Sequence, residues 1–339
     1  MKNNILHIMV LEKFIPPFMN FIDMNFDSSN HVYMILGRQR MDYGLTNEHQ
    51  IVWIDGLLNL PKLFSALYKA KKVIIHGLWS EPLLKILFIQ PWLLKKSYHV
   101  MWGGDFYFPE EQSWIKKQVI KKIGHFITYI KGDYLLAQKL YGAKGEYHEC
   151  FMYPSNLYHE YDIKPKEYSI INIQLGNSAD STNNHIDMLE KLRKYKDENI
   201  NIYVPLSYGE KEYAIDVITK GKEIFGEKFI PLTEFVPFDN YLELLGDIDI
   251  AIFAHKRQQA MGNTITLLGL GKKVYMRNDI VTWQFLKTID IEVFDVENIE
   301  IDILDNNIKG NNKQKIKDYF SKENLIVQLK SIFGENSER

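Results

Sequence analysis

The sequence predicts an α/β chain built from two Rossmann-like, doubly wound domains, and three observations predict it. A length of 339 residues suits two domains of ordinary size, each with its own core. In both halves short apolar runs alternate with helical patterns, which is the signature of parallel sheets covered on both faces. A polar stretch with a proline, 155–168, separates the two series and reads as a linker.

Strands of the first series are expected at 5–11, 32–36, 51–54, 73–76, 98–102, 126–129 and 147–149. Helices are expected at 61–70, 81–89, 110–122 and 133–141. Pro61 and Pro82 suit first-turn positions, where a helix has no use for the missing N–H. The second series has strands at 169–175, 202–205, 228–231, 249–253, 273–276 and 291–294, with helices at 183–195, 211–225, 239–245, 263–270 and 282–287. The tail, 313–332, has the apolar spacing of one amphipathic helix. The expected domains are therefore 1–155 and 169–339, the tail counted with the second. Ligands of such sheets sit beyond the carboxyl ends of the strands, here in a cleft that the two domains are expected to face.

A formal net charge of −2 hides an asymmetry: 18 Lys and Arg stand against 13 Asp and Glu up to Ser155, and 23 against 30 after it. The basic half also carries Trp92, Trp102 and Trp114, which suits a surface of anionic lipid rather than nucleic acid. Cys150 is alone, so a disulfide framework is excluded and a reducing cytoplasm is the natural compartment. The apolar run 5–11 is too short for a signal peptide and lacks a small-residue cleavage site; it reads as a buried first strand. No apolar segment reaches the ~20 residues of a membrane span. The nearest, 83–94, is interrupted by Lys85, Gln90 and Pro91.

Chemistry concentrates in 235–274, a turn, helix, strand, basic loop and second helix. The apolar strand ends at Phe253, and His255-Lys-Arg-Gln-Gln259 then leads to Met261-Gly-Asn-Thr264 at the start of a small-residue helix. Free N–H groups and the helix dipole stabilise negative charge there, and Lys256 and Arg257 neutralise more of it. A diphosphate, and so a nucleotide-sugar, is the ligand this arrangement suits.

Leu175-Gly-Asn-Ser-Ala-Asp-Ser-Thr-Asn-Asn-His-Ile186, Val204-Pro-Leu-Ser-Tyr-Gly209, Arg257-Gln-Gln-Ala-Met-Gly262, Trp102-Gly-Gly-Asp-Phe-Tyr107 and Trp283-Gln284 together resemble one family. It is the TDP-N-acetylfucosamine:lipid II N-acetylfucosaminyltransferases, glycosyltransferase family 56, of enterobacterial common antigen synthesis. The resemblance implies a GT-B glycosyltransferase that moves 4-acetamido-4,6-dideoxy-D-galactose (Fuc4NAc) from dTDP to a lipid-linked (undecaprenyl diphosphate) saccharide. It implies work on the cytoplasmic face of the inner membrane as a peripheral protein, with retained anomeric configuration. An acceptor in an O-antigen (lipopolysaccharide) pathway is equally compatible. Two other readings share the architecture: a nucleotide-sugar 2-epimerase, and an inactive scaffold in polysaccharide assembly.

Within this frame, Gly176, Asn177 and Ser178 are expected to form a donor-facing loop after the first strand of the second half; the competing reading is that Ser181 or Thr182 caps the next helix. Many retaining GT-B enzymes place two glutamates at the spacing occupied here by Gln258 and Thr266. A deoxyribose has no 2′-hydroxyl for a glutamate to hold, which fits the substitution. Gly262, Asn263 and Thr264 offer main-chain and side-chain donors, Phe235 a surface for the base, and Tyr208 a contact or cover for the donor. In the first half His76, Trp79, Trp102 and Gly103 follow apolar strands and are expected at the acceptor, with Asp105 as orienting group or base or else as a turn residue. Arg257, Lys256 and Asp105 are the expected catalytic set. Asp247-Ile-Asp249 lies between a helix and a buried strand and reads as structural, so neither metal nor cofactor is expected. Zinc-binding, P-loop and Ser-His-Asp patterns are not apparent. The helix 114–123 divides apolar from basic residues and, with 91–96, suits either ordinary packing or anionic headgroups.

Overall fold

A computed structural model describes residues 4–46, 51–160, 170–234 and 238–334. The chain divides into two compact units, Met1–Leu157 with Lys322–Arg339, and Tyr158–Ser321.

The first unit holds seven parallel strands: β1 Ile5–Met9, β2 His31–Leu36, β3 Ile51–Ile54, β4 Lys72–His76, β5 Ser97–Val100, β6 His125–Ile127 and β7 Glu146–His148. Their order, β3-β2-β1-β4-β5-β6-β7, reverses between β1 and β4, so the doubly wound topology holds. The helices are α1 Ile15–Asn25, α2 Leu60–Lys69, α3 Glu81–Ile89, α4 Trp114–Lys122 and α5 Lys131–Tyr141. Helix α1 was not expected. Pro16 and Pro17 look like breakers, but they occupy its first turn, where a proline costs no hydrogen bond. Helix α4 is shorter than the expected 110–122 because Ser113 caps it, accepting from the Lys116 N–H at 3.2 Å. Both sheet faces are covered, and residues such as Ile8, Ile74, Leu84 and Phe126 are fully buried. Each contributes about 1.5–3 kcal/mol by leaving water.

The second unit holds β8 Ile171–Leu175, β9 Ile200–Pro205, β10 Phe229–Leu232, β11 Ile250–Phe253, β12 Lys273–Met276 and β13 Phe294–Asp295. All are parallel in the order β10-β9-β8-β11-β12-β13, reversing between β8 and β11. Its helices are α6 His185–Leu192, α7 Lys211–Phe225, α8 Phe238–Asp247, α9 Met261–Gly269, α10 Val281–Thr288 and α11 Asn306–Tyr319.

The tail departs from the expected single helix and from the expected division. It is two helices, α11 and α12 Lys322–Phe333, and α12 belongs to the first unit. There its Phe333 ring lies edge-on to His31 at 4.7 Å and to Phe26 at 5.1 Å. Gln328 accepts from the Phe151 N–H at 3.1 Å, and the Lys72 ammonium donates to the Ile332 carbonyl. Among the described residues no helix is long and apolar enough to cross a membrane.

Candidate active site

The switch point of the second sheet brings together the segments that follow β8, β9 and β11. After β8 the chain turns at Gly176, whose φ of +67° and close neighbours both demand glycine: a Cβ would lie 2.2 Å from His185 Nε2. Asn177 then donates through its main chain to Asn183 Oδ1 (3.0 Å) and through Nδ2 to the Tyr208 hydroxyl (2.9 Å). Ser178 is buried and accepts from Asn183 Nδ2 at 3.3 Å. Tyr208 is 59% exposed, so its ring is left for a ligand to cover.

Asn183 is the centre of this arrangement, and sequence reasoning missed it. It is fully buried, and its Oδ1 also accepts from His255 Nε2 at 2.7 Å. Its neighbour Asn184, in the left-handed region at φ 52°, donates to the Ala254 carbonyl at 2.7 Å. Together the two asparagines tie the loop after β8 to the one after β11. Burial above all, then the nearby His185 and Arg257, push His255 down to about 3, so it is a neutral imidazole. The family-like segment runs through Asn183, but the bond to His255 joins loops 72 residues apart, and no local pattern reveals it.

After β11, Lys256 is exposed, while Arg257 and Gln258 are half-buried. Arg257 Nη2 lies 3.6 Å from Asp180 Oδ2, and Nη1 donates to the Gln258 carbonyl at a long 3.4 Å. Burial pushes the Asp180 carboxyl up, but hydrogen bonds from Thr182 and then the Arg257 charge outweigh it and hold it below its ordinary value. The Thr182 hydroxyl donates to Asp180 at 2.6 Å and lies 3.1 Å from Gln259 Oε1, and Gln259 Nε2 reaches Asn177 Oδ1 at 3.4 Å. Asp180 and Gln259 are thus further members of the site.

Helix α9 starts at this point without a side-chain cap. Ala260 precedes it at φ 55°, a left-handed conformation costly for a residue with a Cβ. Gly262 is exposed in the first turn, and Asn263 Nδ2 donates to the Tyr241 hydroxyl at 2.9 Å. Gln174 Nε2 donates to the same hydroxyl at 3.4 Å. Thr264 departs from expectation. Its N–H and its Oγ1 both bond to the Ala260 carbonyl, at 2.9 and 3.1 Å, so this buried hydroxyl serves the helix and not a ligand. Thr266 lies half-buried in the second turn. Phe235 lies outside the described residues. Asp249 accepts from the Asn172 N–H at 2.8 Å, consistent with its structural reading.

In the first unit, two segments follow β4 and β5. His76 ends β4 and is buried, with Nδ1 2.8 Å from the Tyr153 hydroxyl and Nε2 3.1 Å from His7 Nδ1. His7 Nε2 in turn meets His31 Nδ1 at 2.9 Å. Burial pushes His76 down to about 3. With both ring nitrogens committed inside the core, His76 cannot touch an acceptor, and this corrects its expected role. Asp105 is corrected too. It has no exposure, and its carboxylate accepts from His99 Nε2 (2.6 Å), the Leu78 N–H (2.9 Å) and the Trp102 N–H (3.1 Å). Burial raises its proton affinity, yet these partners, His99 foremost, hold it below the ordinary carboxylate range. Asp105 positions the two loops; it is not placed as a base.

Trp79 and Trp102 remain on the surface side of those loops. Their rings are 6.1 Å apart, Trp79 is 43% exposed, and the Lys116 ammonium sits 5.6 Å above the Trp79 ring. Trp102 Nε1 donates to Tyr153 at 2.8 Å, and Gly103 turns the chain at φ 85°. A pair of aromatic faces beside a cation suits the C–H face of a sugar next to an anionic group.

Comparison with known proteins bears on both units. Among solved structures the chain is similar to a glycosyltransferase from Rickettsia africae, at 17% identity over 99% of this chain and 100% of that one, with a TM-score of 0.67. It is similar to WaaG, a glycosyltransferase involved in lipopolysaccharide biosynthesis, at 10% identity over 99% and 100%, TM-score 0.61. It is also similar to the N-terminal domain of Candida albicans trehalose-6-phosphate phosphatase, at 11% identity over 98% and 97%, TM-score 0.67. At such identities the likeness establishes the fold, which is GT-B as expected. The family model described as 4-alpha-L-fucosyltransferase glycosyl transferase group 56 matches residues 58–324, a span that contains every loop described above except those after β1–β3. The chain therefore belongs to glycosyltransferase group 56 and is a GT-B glycosyltransferase.

Proposed function

We propose that the second unit binds a dTDP-linked 4-acetamido-4,6-dideoxy-D-galactose or a similar dideoxy amino sugar. The transfer goes to a lipid-linked (undecaprenyl diphosphate) saccharide held by the first unit, in enterobacterial common antigen or O-antigen synthesis. The observation that carries the reading is the uncapped start of α9, with Arg257 half-buried and Lys256 exposed just before it. Departure of dTDP leaves charge on the β-phosphate. Main-chain donors at Gly262 and Asn263 with these two cations stabilise that charge without reorganising. Gln258 and Thr266 offer no carboxylate to a ribose 2′-hydroxyl, which favours a deoxyribose. Asn177, Ser178, Tyr208 and Gly176 frame the donor from the loops after β8 and β9, and Trp79, Trp102 and Gly103 receive the acceptor sugar.

The reaction we favour retains configuration by attack on the face the phosphate leaves, the phosphate oxygen taking the acceptor proton. No metal is required for this, since the cations replace it. The decisive measurement is calorimetric binding of dTDP, dUDP and UDP, followed by product analysis with a panel of dTDP-sugars and lipid-linked oligosaccharides. dTDP and dUDP are expected to bind more tightly than UDP; equal affinity for UDP sinks the deoxyribose argument.

The peripheral-membrane reading rests on a surface of the first unit. Trp92 (55% exposed), Trp114 (63%) and Ile89 (71%) stand out from neighbouring elements, with Phe88 against Trp114 at 5.2 Å. Lys117, Lys121 and Lys122 belong to the same α4 helix, so charge and apolar surface together suit anionic headgroups. Sedimentation with vesicles rich in anionic phospholipid at low salt is expected to retain the protein, and retention is expected to fall when Trp92 and Trp114 are both changed to Ser.

A further inference from the structure

A second cluster of the first unit lies on β6 and β7, at the edge of its sheet. His125 opens β6, Glu146 opens β7, and His148 follows two residues later on the same face of the sheet. His125 Nδ1 is 3.0 Å from His148 Nε2 and 3.5 Å from Glu146 Oε2, and His148 Nε2 is 3.9 Å from the same oxygen. Three donor atoms bound tetrahedrally to one Zn²⁺ at 2.0–2.1 Å would be separated by about 3.3 Å. The observed separations bracket that value. We propose that His125, Glu146 and His148 form a divalent transition-metal site, selective for Zn²⁺ and related borderline ions over Mg²⁺, with one coordination position left for water.

Three features support it. The His125 ring is already oriented: it lies flat on Tyr98 at 4.0 Å and 9°, and it hydrogen-bonds the main chain of Lys95. Metal-ligating imidazoles are held this way, by a second contact that fixes ring and tautomer. Two imidazoles with one carboxylate are a zinc-type donor set; Mg²⁺ prefers oxygen alone. The Lys72 ammonium is committed elsewhere: it donates to the Ile332 carbonyl and rests over the Tyr98 ring at 5.6 Å. Both imidazoles ligate as neutral rings once the hydrogen they share moves to the far nitrogen of its own ring, so binding needs no net proton loss there. The site neither touches the loops after β4 and β5 nor lies in the second unit, so its role is to pin β6 to β7 and not to take part in transfer.

The test uses the full chain, stripped with a chelator and titrated with ZnCl₂ against a chromophoric competitor. Co²⁺ serves as a spectroscopic probe, since four-coordinate Co²⁺ has intense visible bands. One equivalent per chain is expected. Glu146 is exposed, so E146Q should fold normally and lose about tenfold or more in affinity, and H148N about 100-fold, at or beyond what an outer-shell change costs. Circular dichroism checks that each variant is folded. Absence of uptake by the wild-type chain, or uptake unchanged in folded E146Q and H148N, overturns the proposal.

Discussion

Arg257 and Asp105 were both expected in the catalytic set, and their surroundings differ sharply. Arg257 keeps some exposure, and its two contacts are long, so its guanidinium is free to turn toward an arriving diphosphate. Arg257→Gln is expected to lower kcat by on the order of 10²–10³ with little change in stability, read from initial rates and urea unfolding side by side. Asp105 has the opposite signature. Asp105→Asn places an amide N–H among three donors in a fully buried site and is expected to cost about 3 kcal/mol in unfolding free energy. A catalytic base would instead lose turnover at unchanged stability, so the same two measurements separate the roles. Sequence reasoning singled out Arg257 because a cation before a helix start suits an anion. It misread Asp105 because a carboxylate after a strand looks identical whether it points outward or under the loop, and only His99, in the middle of the adjacent strand, decides which.

At the scale of elements, α9 combines a strained entry with an open first turn. Ala260 in the left-handed region costs about 1 kcal/mol that glycine would not. Ala260→Gly relieves that strain but frees the unfolded chain by about 0.4–1 kcal/mol, so a net gain of only a few tenths of a kcal/mol is expected in urea unfolding. Most elements were legible because parallel strands buried on both faces read as plain apolar runs; 51–54, 211–225 and 273–276 match the observed elements residue for residue. Three failures have physical causes. Helix α1 hides behind Pro16-Pro17, whose usual meaning is reversed in a first turn. The break between α11 and α12 falls at Phe320-Ser321, where apolar spacing continues through the interruption. The loop residues Asn183, Gln259 and Asp180 escaped because their hydrogen bonds join segments far apart in the chain, and no local pattern records that.

For the molecule as a whole, the buried imidazoles set the response to acid. Burial pushes His31 and His185 down to about 4, against the opposing pull of Asp27 and Asp180, and His76 and His255 to about 3, and it holds His7 well below its ordinary value. In the unfolded chain these rings take up protons near pH 6.5, so between about 6.5 and about 4 the unfolded state binds more protons and stability falls as pH falls. Asp133 works the other way. Burial raises it to about 7, so the folded chain holds a proton that the unfolded one releases, and that contribution is present below about 4 and lost as pH rises through 7. Five imidazoles outweigh one carboxyl. The unfolding free energy from urea titrations is expected to drop steadily from about pH 7.5 to about pH 5, by about 1.4 kcal/mol per pH unit for each proton taken up, and the urea midpoint with it. His76→Gln should make the slope shallower. A midpoint independent of pH over that range would refute the account.

Helix α12 has a consequence for biosynthesis. Its residues leave the ribosome after all of Tyr158–Ser321, yet Leu325, Leu329, Ile332 and Phe333 are buried in the earlier unit. Nascent units ordinarily fold in the order they emerge. Here the later-made unit has its whole sequence available first, and the earlier one waits with His31 and Phe26 uncovered until translation delivers its last piece.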